Sequence, residues 1–381
     1  MVRVTHIITG LSTGGAERSL LKLLEASSEL RDGARVISLR DLGTVGPHLS
    51  ALGIPVSAIG VHGSLPTPAA VLRLRSQVRS TTSALLQGWM YHGNLAALAA
   101  RGWLPGRVPL VWNIRHSVYS LAAEKSLTAL LIRLGAVLSH LPDRIIYNSR
   151  LAASQHEALG YAADRTVLIP NGFDTDRFAP GKHHRAAVRA ELGLTQDTPL
   201  VGLVGRYHPM KGHANFLRAV AQVRIDCPTA RFVMAGTDVT TENSELMGLV
   251  RELGVGDGVF LLGELADTAR LMAALDILCL PSSSEGFPNV VGEAMACAVP
   301  CVATDVGDAA WVVGETGVVV PPRNPEALAE GLTLLLQTSR AARAELGGRA
   351  RRRIEEHFTL TAITRQYADL YAELTASTGS R

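Results

Sequence analysis

Two glutamates, Glu285 and Glu293, have the type and spacing that suit a polar ligand. They lie in the stretch Pro281–Pro300, PSSSEGFPNVVGEAMACAVP, directly after an apolar run that predicts a buried strand over Ile277–Leu280. A glycine-bearing turn and a helix predicted over Val290–Ala298 follow, and such an arrangement presents free backbone N–H groups to an anion. Because a bare carboxylate repels a diphosphate, the two glutamates are better suited to accept hydrogen bonds from the hydroxyls of a sugar or ribose.

Two simpler interpretations of this glutamate pair remain open. Acidic side chains near a helix N-terminus are stabilised by the helix dipole, and paired carboxylates also act as the acid and base of hydrolases. The whole string EGFPNVVGEAMA is more specific, and it resembles the double-glutamate signature of the family-4 retaining glycosyltransferases, which have the GT-B fold. The resemblance implies that Glu285 contacts the donor sugar and that Glu293 binds the nucleotide ribose. It also places four turn residues in the donor site: Gly286, Phe287, Pro288 and Asn289.

A basic pair flanks the loop after another predicted strand. Arg206 follows the strand Leu200–Val204, and Lys211 precedes a helix predicted over Ala214–Ile225. An arginine can bind a diphosphate with two hydrogen bonds and a lysine adds a compact charge, although two exposed basic residues occur on any surface. The string VGR…KG resembles the phosphate-binding loop of the same family, which implies that Arg206 and Lys211 bind the diphosphate. The intervening Tyr207–Met210 is less acidic than is usual in the family.

A glycine pair near the N-terminus forms a second candidate phosphate loop. Gly14 and Gly15, in GGAER, separate a strand predicted over Val2–Thr9 from a helix predicted over Ala16–Leu30. Glycines at a helix start let the backbone approach a phosphate without a Cβ in the way, but they are also ordinary turn residues. GGAER resembles the N-terminal loop of the family, which implies that both glycines face the donor diphosphate across a cleft.

His116 follows the strand predicted over Leu110–Ile114. A lone histidine at a strand end is more often a hydrogen-bonded structural residue than a catalyst. The family frequently has a histidine on this loop beside the donor sugar, so the resemblance implies a catalytic role for His116, although Asn113 and Arg115 differ from the commonest versions. Ser149 resembles a strand-end serine of the family and is interpreted as a structural or acceptor-side residue.

Strands and helices alternate through both halves of the chain, which predicts parallel, doubly wound sheets with ligands at the carboxyl ends of the strands. The predicted fold is therefore α/β, with two Rossmann-like domains facing a central cleft (GT-B). Residues 1–170 would form the acceptor-side domain, residues 171–360 the nucleotide-sugar donor domain, and residues 361–381 a C-terminal helix that packs back on the first domain. The domain crossover is placed at PNGFD, Pro170–Asp174, which resembles the crossover of the family.

The remaining predicted elements follow from apolar periodicity and turn residues. The strands are Arg35–Leu39, Ala84–Leu86, Arg144–Tyr147, Thr166–Ile169, Arg231–Ala235, Val259–Leu262 and Pro300–Thr304. The helices are Pro68–Thr81, Leu95–Arg101, Ala122–Ser139, Leu151–Leu159, His183–Gly193, Pro325–Leu336, Ala341–Glu356 and Leu360–Thr375. In the loop after the predicted strand Pro300–Thr304, Asp308 and Trp311 depart from the family pattern and are expected to alter the donor-sugar contacts.

The composition indicates a globular protein with an ample core, because 47% of the 381 residues are hydrophobic and 19% are charged. A net charge of +3, without zinc-finger spacing or an RNA-binding signature, gives no reason to expect a nucleic-acid partner. No signal peptide or bilayer-spanning segment is recognised, so a cytoplasmic location is expected. The cysteines form no CxxC pair and are expected to be buried free thiols: Cys227, Cys279, Cys297 and Cys301.

These features together predict a retaining glycosyltransferase that moves a sugar from a nucleotide-diphosphate sugar to an acceptor hydroxyl, in lipid-linked glycan, polysaccharide or glycoconjugate synthesis. No cofactor and no metal are expected, since Arg206 and Lys211 supply positive charge and no metal-ligand cluster is recognised. The acceptor would be a saccharide or a lipid-linked sugar. Two alternatives are another GT-B enzyme, such as a nucleotide-sugar epimerase or a phosphorylase, and a non-catalytic nucleotide-sugar-binding subunit.

Three arginines on the predicted helix Pro68–Thr81 bear on membrane contact: Arg73, Arg75 and Arg79. They could contact anionic headgroups at the inner face of the membrane. They could equally form a solvated helix face, which is the commoner role of such residues.

Overall fold

A computed structural model describes residues 2–12, 14–63, 66–80 and 82–379 of the chain. The chain divides into two compact units, the first made of Met1–Gly172 with Leu360–Arg381 and the second of Phe173–Thr359. The boundaries expected from the sequence, after residues 170 and 360, fall close to these divisions.

The described part of the first unit contains a parallel sheet of seven strands. They are β1 Val4–Ile8, β2 Ala34–Ser38, β3 Val56–Ala58, β4 Leu85–Trp89, β5 Leu110–Ile114, β6 Arg144–Tyr147 and β7 Thr166–Leu168. Their order across the sheet is β3-β2-β1-β4-β5-β6-β7, so the strand order reverses between β1 and β4. The central strands β1, β4 and β5 are buried along their whole length, as expected where helices cover both faces of a parallel sheet.

The helices of the first unit connect these strands. They are α1 Gly15–Ala26, α2 Ser28–Asp32, α3 Val45–Ala51, α4 Pro68–Arg79, α5 Met90–Arg101, α6 Ser126–Leu138 and α7 Arg150–Ala158, with 3-10 turns at Leu121–Ala123 and Ala163–Arg165. Thr67 caps α4 by accepting a hydrogen bond from Ala70 N. The predicted end of that helix, Thr81, lies outside the described residues.

The second unit, all of whose backbone is described, contains a parallel sheet of six strands. They are β8 Leu200–Val204, β9 Arg231–Ala235, β10 Val259–Leu261, β11 Ile277–Leu280, β12 Cys301–Thr304 and β13 Val318–Val320. Their order is β10-β9-β8-β11-β12-β13, so β8 and β11 are neighbours at the point where the order reverses. Ligands of such sheets bind at the carboxyl ends of the strands at this reversal.

The helices of the second unit lie between and after these strands. They are α8 Lys182–Glu191, α9 His213–Asp226, α10 Ser244–Glu252, α11 Thr268–Ala274, α12 Asn289–Ala296, α13 Ala309–Val313, α14 Pro325–Gln337 and α15 Arg340–His357, with 3-10 turns at Pro209–Lys211 and Gly256–Gly258.

The last helix, α16 Leu360–Gly379, belongs to the first unit. Two of its tyrosines are buried and bind polar side chains of the central strands. Asn113 Nδ2 donates to Tyr367 Oη over 2.9 Å, and the Tyr371 hydroxyl donates to Gln87 Oε1. Each bond satisfies one polar atom of a buried amide, whose other atom, Asn113 Oδ1 or Gln87 Nε2, has no hydrogen-bond partner among the described residues. The two bonds fix the helix on the sheet.

The structure differs from the predicted elements where local sequence is a weak guide. The helix predicted over Ala16–Leu30 is interrupted at Ser27, whose side chain accepts a hydrogen bond from Leu30 N and starts a new helix. Strand β4 runs beyond the predicted Ala84–Leu86 and includes Gly88, which a sequence pattern treats as a turn residue. Glycine is needed there because a Cβ would lie 2.4 Å from Asn94 Cα. Strands β3 and β13, each of three residues at a sheet edge, were not predicted, although the equally short edge strands β7 and β10 were.

None of the described helices combines the length and the apolar character that a membrane span requires.

Candidate functional site

The loop after β8 carries the predicted basic pair. Arg206 is exposed directly beyond the strand, and Lys211 ends the 3-10 turn Pro209–Lys211. Gly212 follows with φ of +71°, and a Cβ there would lie 2.1 Å from the carbonyl oxygen of Pro281. Ser283 N also donates to Met210 O over 2.8 Å. The loop after β8 is therefore pressed against the turn after β11, and only glycine permits this approach.

Lys211 and Glu285 are brought together by this contact. Lys211 Nζ lies 2.7 Å from Glu285 Oε1, and the exposed fractions of the two side chains are 30% and 11%. The buried hydroxyl of Ser282 donates to the same carboxylate oxygen over 2.7 Å. Both partners were singled out in the sequence, but their direct pairing was not predicted. The ammonium and the carboxylate together form a polar, charged pair at the carboxyl edge of the sheet, where ligands of such sheets bind.

The turn Glu285–Asn289 packs against the loop after β12. Gly307, with φ of +57°, approaches so closely that a Cβ would lie 2.2 Å from Gly286 O. Asp308 N donates to the same oxygen over 2.9 Å. The loop that departs from the family pattern therefore contacts the backbone of the turn.

Phe287 has its side chain in an aromatic cluster. The ring is buried, and its centroid lies 6.0–6.1 Å from those of Phe173, Trp311 and Phe358. Trp311 itself packs edge-on against Phe358. The side chain of Phe287 is thus an anchor for the turn, and this residue can offer a ligand only its backbone.

Helix α12 begins at Asn289, one residue earlier than predicted. The buried Pro288 is its N-cap residue and Asn289 is exposed. Glu293 is half-buried on the same helix, and its charge contributes to raising the pKa of Cys297, chiefly raised by burial, to about 12. Gly292 is required by packing, since a Cβ would lie 2.1 Å from the ring of Phe173.

The glycine pair of the first unit lies at the start of α1. Gly14 is the N-cap residue, and a Cβ there would lie 2.2 Å from Glu17 Oε2. Burial raises the pKa of Glu17, and a hydrogen bond with its own backbone opposes that shift. A carboxylate therefore lies against Gly14, whereas Gly15 is exposed and a Cβ there would have no atom of the described residues within 4 Å. Gly15 is the better placed of the two to approach a phosphate, because the space beside it is open.

His116 is partly exposed and contacts two side chains that sequence reasoning missed. Its Nε2 lies 3.4 Å from Glu124 Oε1, and the exposed fractions of the two side chains are 36% and 21%. Its Nδ1 lies 3.2 Å from the hydroxyl of Tyr91. No sequence signal marks either partner, since Tyr91 belongs to α5 and Glu124 to the loop before α6.

The other polar residues at strand ends of the first unit have structural contacts. Ser149 is fully buried and caps α7 by accepting a hydrogen bond from Ala152 N over 3.2 Å. The Arg115 guanidinium donates to Asn171 Oδ1 and to Tyr367 Oη. Of the two roles left open for Ser149, the structural one matches these contacts.

A pocket of about 360 Å³ borders the loop after β8. It is lined on one side by Tyr207 and His213, whose rings lie 5.1 Å apart, and on others by Arg218, Glu245 and Arg323. Burial lowers the pKa of His213 to about 4, so this ring is neutral. This pocket is not lined by the four charged candidate ligands Arg206, Lys211, Glu285 and Glu293.

Two further expectations concern cysteines and metals. All four cysteines are free, with Cys227 half-buried and the other three buried. Across the described residues, no three His, Cys, Asp or Glu side chains are grouped in a way that could hold a metal ion.

Comparisons with known proteins agree with both units. Residues 13–177 match the family model described as Glycosyltransferase Family 4, and residues 198–338 match the model described as Glycosyl transferases group 1. A curated protein of Segniliparus rotundus named D-inositol 3-phosphate glycosyltransferase is 31% identical over 323 residues, covering 76% of this chain and 70% of that protein. One of the same name from Actinosynnema mirum is 32% identical over 295 residues, covering 68% and 69%.

Solved structures show the same fold. Anabaena Alr3699/HepE, in complex with UDP, superposes with a TM-score of 0.86 at 23% identity, covering 98% of this chain and 100% of that one. WaaG, a glycosyltransferase involved in lipopolysaccharide biosynthesis, superposes with a TM-score of 0.69 at 19% identity, covering 97% and 99%. With two parallel-sheet α/β domains of the GT-B class and relatives above 30% identity over more than two thirds of their length, this chain belongs to the family-4 glycosyltransferases.

Proposed function

We propose that this glycosyltransferase uses a nucleoside-diphosphate sugar and that Arg206, Lys211, Glu285 and Glu293 bind this donor. The observation that carries the proposal is the Lys211–Glu285 pair, 2.7 Å apart at the carboxyl end of the sheet. The ammonium, with the exposed Arg206 nearby in the same loop, is suited to the diphosphate. The carboxylate is suited to a sugar hydroxyl. Alr3699/HepE, whose structures contain UDP and UDP-glucose, supports the choice of donor class.

The chemistry proposed for these residues is stabilisation of the leaving group. Cleavage of the bond between the anomeric carbon and the diphosphate builds negative charge on the diphosphate, which Arg206 and Lys211 would meet. Glu285 is held by Lys211 and Ser282, so it is poorly suited to act as a covalent nucleophile. We therefore propose front-face displacement, with the leaving oxygen aiding deprotonation of the acceptor, and retention of the anomeric configuration.

Metal-independent activity is part of this proposal, because the arginine and the lysine already supply positive charge at the diphosphate. Transfer should persist after treatment with EDTA. Loss of transfer in EDTA, restored by Mn²⁺ or Mg²⁺, would contradict it.

The experiment that tests the donor is a transfer assay against UDP-, GDP- and ADP-sugars. D-Inositol 3-phosphate belongs among the acceptors, because the curated relatives bear its name. Nucleotide release that requires an acceptor supports a transferase, whereas an epimerase would change the sugar without one and a binding subunit would release nothing. NMR of the new linkage then gives the stereochemistry: an α-linked donor should yield an α-linked product, and a β-linked product would refute retention.

We further propose that the acceptor is carried on an amphiphile that the first unit binds at a membrane surface. A pocket of about 280 Å³ lies among α4, α5 and α6 and is walled mainly by apolar side chains. Its polar lining includes Arg40 and His92, which follow β2 and begin α5. An apolar chain with an anionic head matches this combination of apolar walls and a basic group.

Exposed apolar side chains lie on two of the helices that line this pocket. Leu72 on α4 is 62% exposed, and Leu130 and Val137 on α6 are 59% and 70% exposed. Arg75 and Arg79, also exposed on α4, would meet anionic headgroups. Apolar insertion combined with basic residues is the usual basis of interfacial membrane binding.

Sedimentation with vesicles tests this surface. The wild type should bind vesicles that contain anionic lipid more strongly than neutral ones, and Leu130→Ser should weaken that binding. Leu334→Ser is the matched control, because Leu334 is 60% exposed but lies on α14 of the other unit. Equal binding by both variants, or efficient transfer to D-inositol 3-phosphate alone, would contradict the amphiphilic acceptor.

A further inference from the structure

A chain of hydrogen-bonding groups runs from the surface of the first unit into its core through His116. Glu124 Oε1 lies 3.4 Å from His116 Nε2, and His116 Nδ1 lies 3.2 Å from Tyr91 Oη. Tyr91 Oη in turn lies 2.9 Å from Nε2 of His156, whose Nδ1 lies 2.7 Å from the carbonyl oxygen of Ala152. The chain therefore passes through two imidazoles and one phenol before it ends on the backbone.

The direction of each hydrogen bond can be worked out from the buried end. A carbonyl oxygen can only accept, so Nδ1 of His156 carries a proton and donates to Ala152 O. Burial lowers the pKa of His156 to about 4, despite the opposing effect of that hydrogen bond, so the ring is neutral near pH 7. Its Nε2 then has a lone pair and accepts from Tyr91. Because Tyr91 has a single hydroxyl proton, its oxygen has only lone pairs to offer His116.

His116 must therefore be the donor in its contact with Tyr91. Its Nδ1 carries a proton, and in that tautomer the lone pair is on Nε2. The side chain is 36% exposed, and Nε2 faces Glu124. Because a lone pair and a carboxylate repel each other, a substrate hydroxyl whose proton lies between them would relieve this repulsion.

The backbone around this chain is held firmly. Tyr91 follows Met90, which adopts φ of +61°, a left-handed conformation that is uncommon for a non-glycine residue. The thioether of Met90 accepts from Arg115 N, and the side chain of Gln155 accepts from Val118 N over 2.8 Å. The backbone on both sides of His116 is thus tied to the start of α5 and to α7.

We propose that Tyr91 and His156 are positioning residues that hold His116 as the Nδ1–H tautomer, so that its Nε2 accepts a hydrogen bond from a substrate hydroxyl. No proton is transferred in this step: the hydroxyl keeps its proton while it donates to His116, and Nδ1–H stays bonded to Tyr91. The role in transfer rests on the proposed function, whereas the tautomer does not.

The tautomer can be measured without any activity assay. Full-length protein labelled with ¹⁵N at its histidines gives long-range ¹H–¹⁵N spectra in which protonated and bare ring nitrogens differ, and a His116→Gln sample assigns the His116 signals. Wild-type His116 should be protonated at Nδ1. In Tyr91→Phe it should shift toward the Nε2–H form, because Nδ1–H loses its acceptor. Tyr371→Phe is the matched control, since this buried hydroxyl donates to Gln87 Oε1, outside the chain.

Transfer kinetics complete the test. Tyr91→Phe should lower kcat by about tenfold with KM little changed, because the hydrogen bond from the substrate hydroxyl to Nε2 is lost, and Tyr371→Phe should leave both unchanged. An Nε2–H tautomer in the wild type overturns the proposal, even if Tyr91→Phe does not fold. A tautomer that stays the same in a folded Tyr91→Phe protein, or an unchanged kcat, also overturns it. If no donor supports transfer but the tautomer shifts as expected, the proposed function fails while the assignment of the hydrogen-bond chain stands.

Discussion

Glu285 and Lys211 are predicted to make opposite contributions to the binding of a nucleoside diphosphate. Their side chains are paired over 2.7 Å, so a diphosphate that takes the ammonium must compete with the carboxylate. Glu285→Gln removes the competing charge, yet the amide oxygen can still accept the hydrogen bond from Ser282. Lys211→Ala removes the proposed ligand itself.

The expected magnitudes follow from the exposure of the pair. Exposed ion pairs contribute about 0.2–1 kcal/mol, whereas breaking a buried pair costs about 3–5 kcal/mol. With the lysine 30% exposed, a value near the lower range, about 1 kcal/mol, is appropriate. Glu285→Gln should therefore tighten nucleoside-diphosphate binding by about fivefold, and lower kcat by about 10- to 100-fold through loss of a charged hydrogen bond to the sugar. Lys211→Ala should weaken binding and lower kcat by about 100-fold.

Calorimetric titration with the nucleoside diphosphate that the wild type prefers measures the first effect, and steady-state transfer measures the second. Lys22→Ala is a control, because Lys22 is exposed on α1 and far along the helix from the glycine pair. It should match the wild type in both assays. If Glu285→Gln weakens nucleotide binding as much as Lys211→Ala does, the competition does not exist and Glu285 is a nucleotide ligand instead.

Three further predictions concern candidate residues within each of the two units. Glu293→Ala should weaken nucleoside-diphosphate binding by about tenfold through lost hydrogen bonds to ribose, and unchanged calorimetric affinity would give Glu293 a structural role. Gly15→Ala should raise the melting temperature, since alanine favours a helix over glycine by about 0.5–1 kcal/mol. It should also weaken donor binding, because the added methyl group fills the open space beside residue 15. Unimpaired binding would show that Gly15 does not contact the donor. Gly193→Ala and Gly212→Ala both place a Cβ at a similar positive φ, +67° and +71°, but only the Cβ at position 212 meets Pro281. Gly212→Ala should therefore lower the melting temperature and the activity more than Gly193→Ala does. Equal losses in melting temperature would show that the contact with Pro281 matters little.

Much of the sheet architecture could be predicted because the strands are continuous apolar runs bounded by turn residues. The bounds predicted for β5, β6, β8, β9 and β11 coincide with the observed ones. Parallel strands buried on both faces require such runs, whatever their neighbours. The signal is weaker at the sheet edges: β3, whose sequence is Val-Ser-Ala, has no apolar run. The edge strands β7 and β10 are equally short and were predicted, whereas β13, Val-Val-Val, was missed despite its apolar run.

The contacts of the site could not be predicted, because they depend on which strands are neighbours. Lys211 and Glu285 are 74 residues apart, and they meet because β8 lies beside β11 in the sheet. Each residue could be chosen from its place after a strand, but the choice says nothing about its partner. The same limit explains why Tyr91 was missed: His116 reaches it only because β4 and β5 pair, which brings the start of α5 to the end of β5.

Phe287 shows the opposite limit of the motif. Its position inside EGFPN suggested a donor contact, but the side chain fills an aromatic cluster with Phe173 and Phe358. A motif reports which residues recur together and cannot separate those that touch a ligand from those that hold the turn. Exposure separates them, because Asn289 is exposed in the same turn while Phe287 is buried.

The movement of Lys211 from Glu285 to the diphosphate would help to bind both the diphosphate and the sugar of the donor. Contacts at Gly212 and Gly307 fix the backbones of both loops against the segment after β11, so the flexible side chain of Lys211 is the part able to move. On the proposed function, the diphosphate draws Lys211 away, and Glu285 loses one of its partners. A half-buried carboxylate that loses a partner gains more from a new hydrogen-bond donor than one that is fully paired. The sugar hydroxyl supplies that donor, so binding of the diphosphate should strengthen recognition of the sugar attached to it.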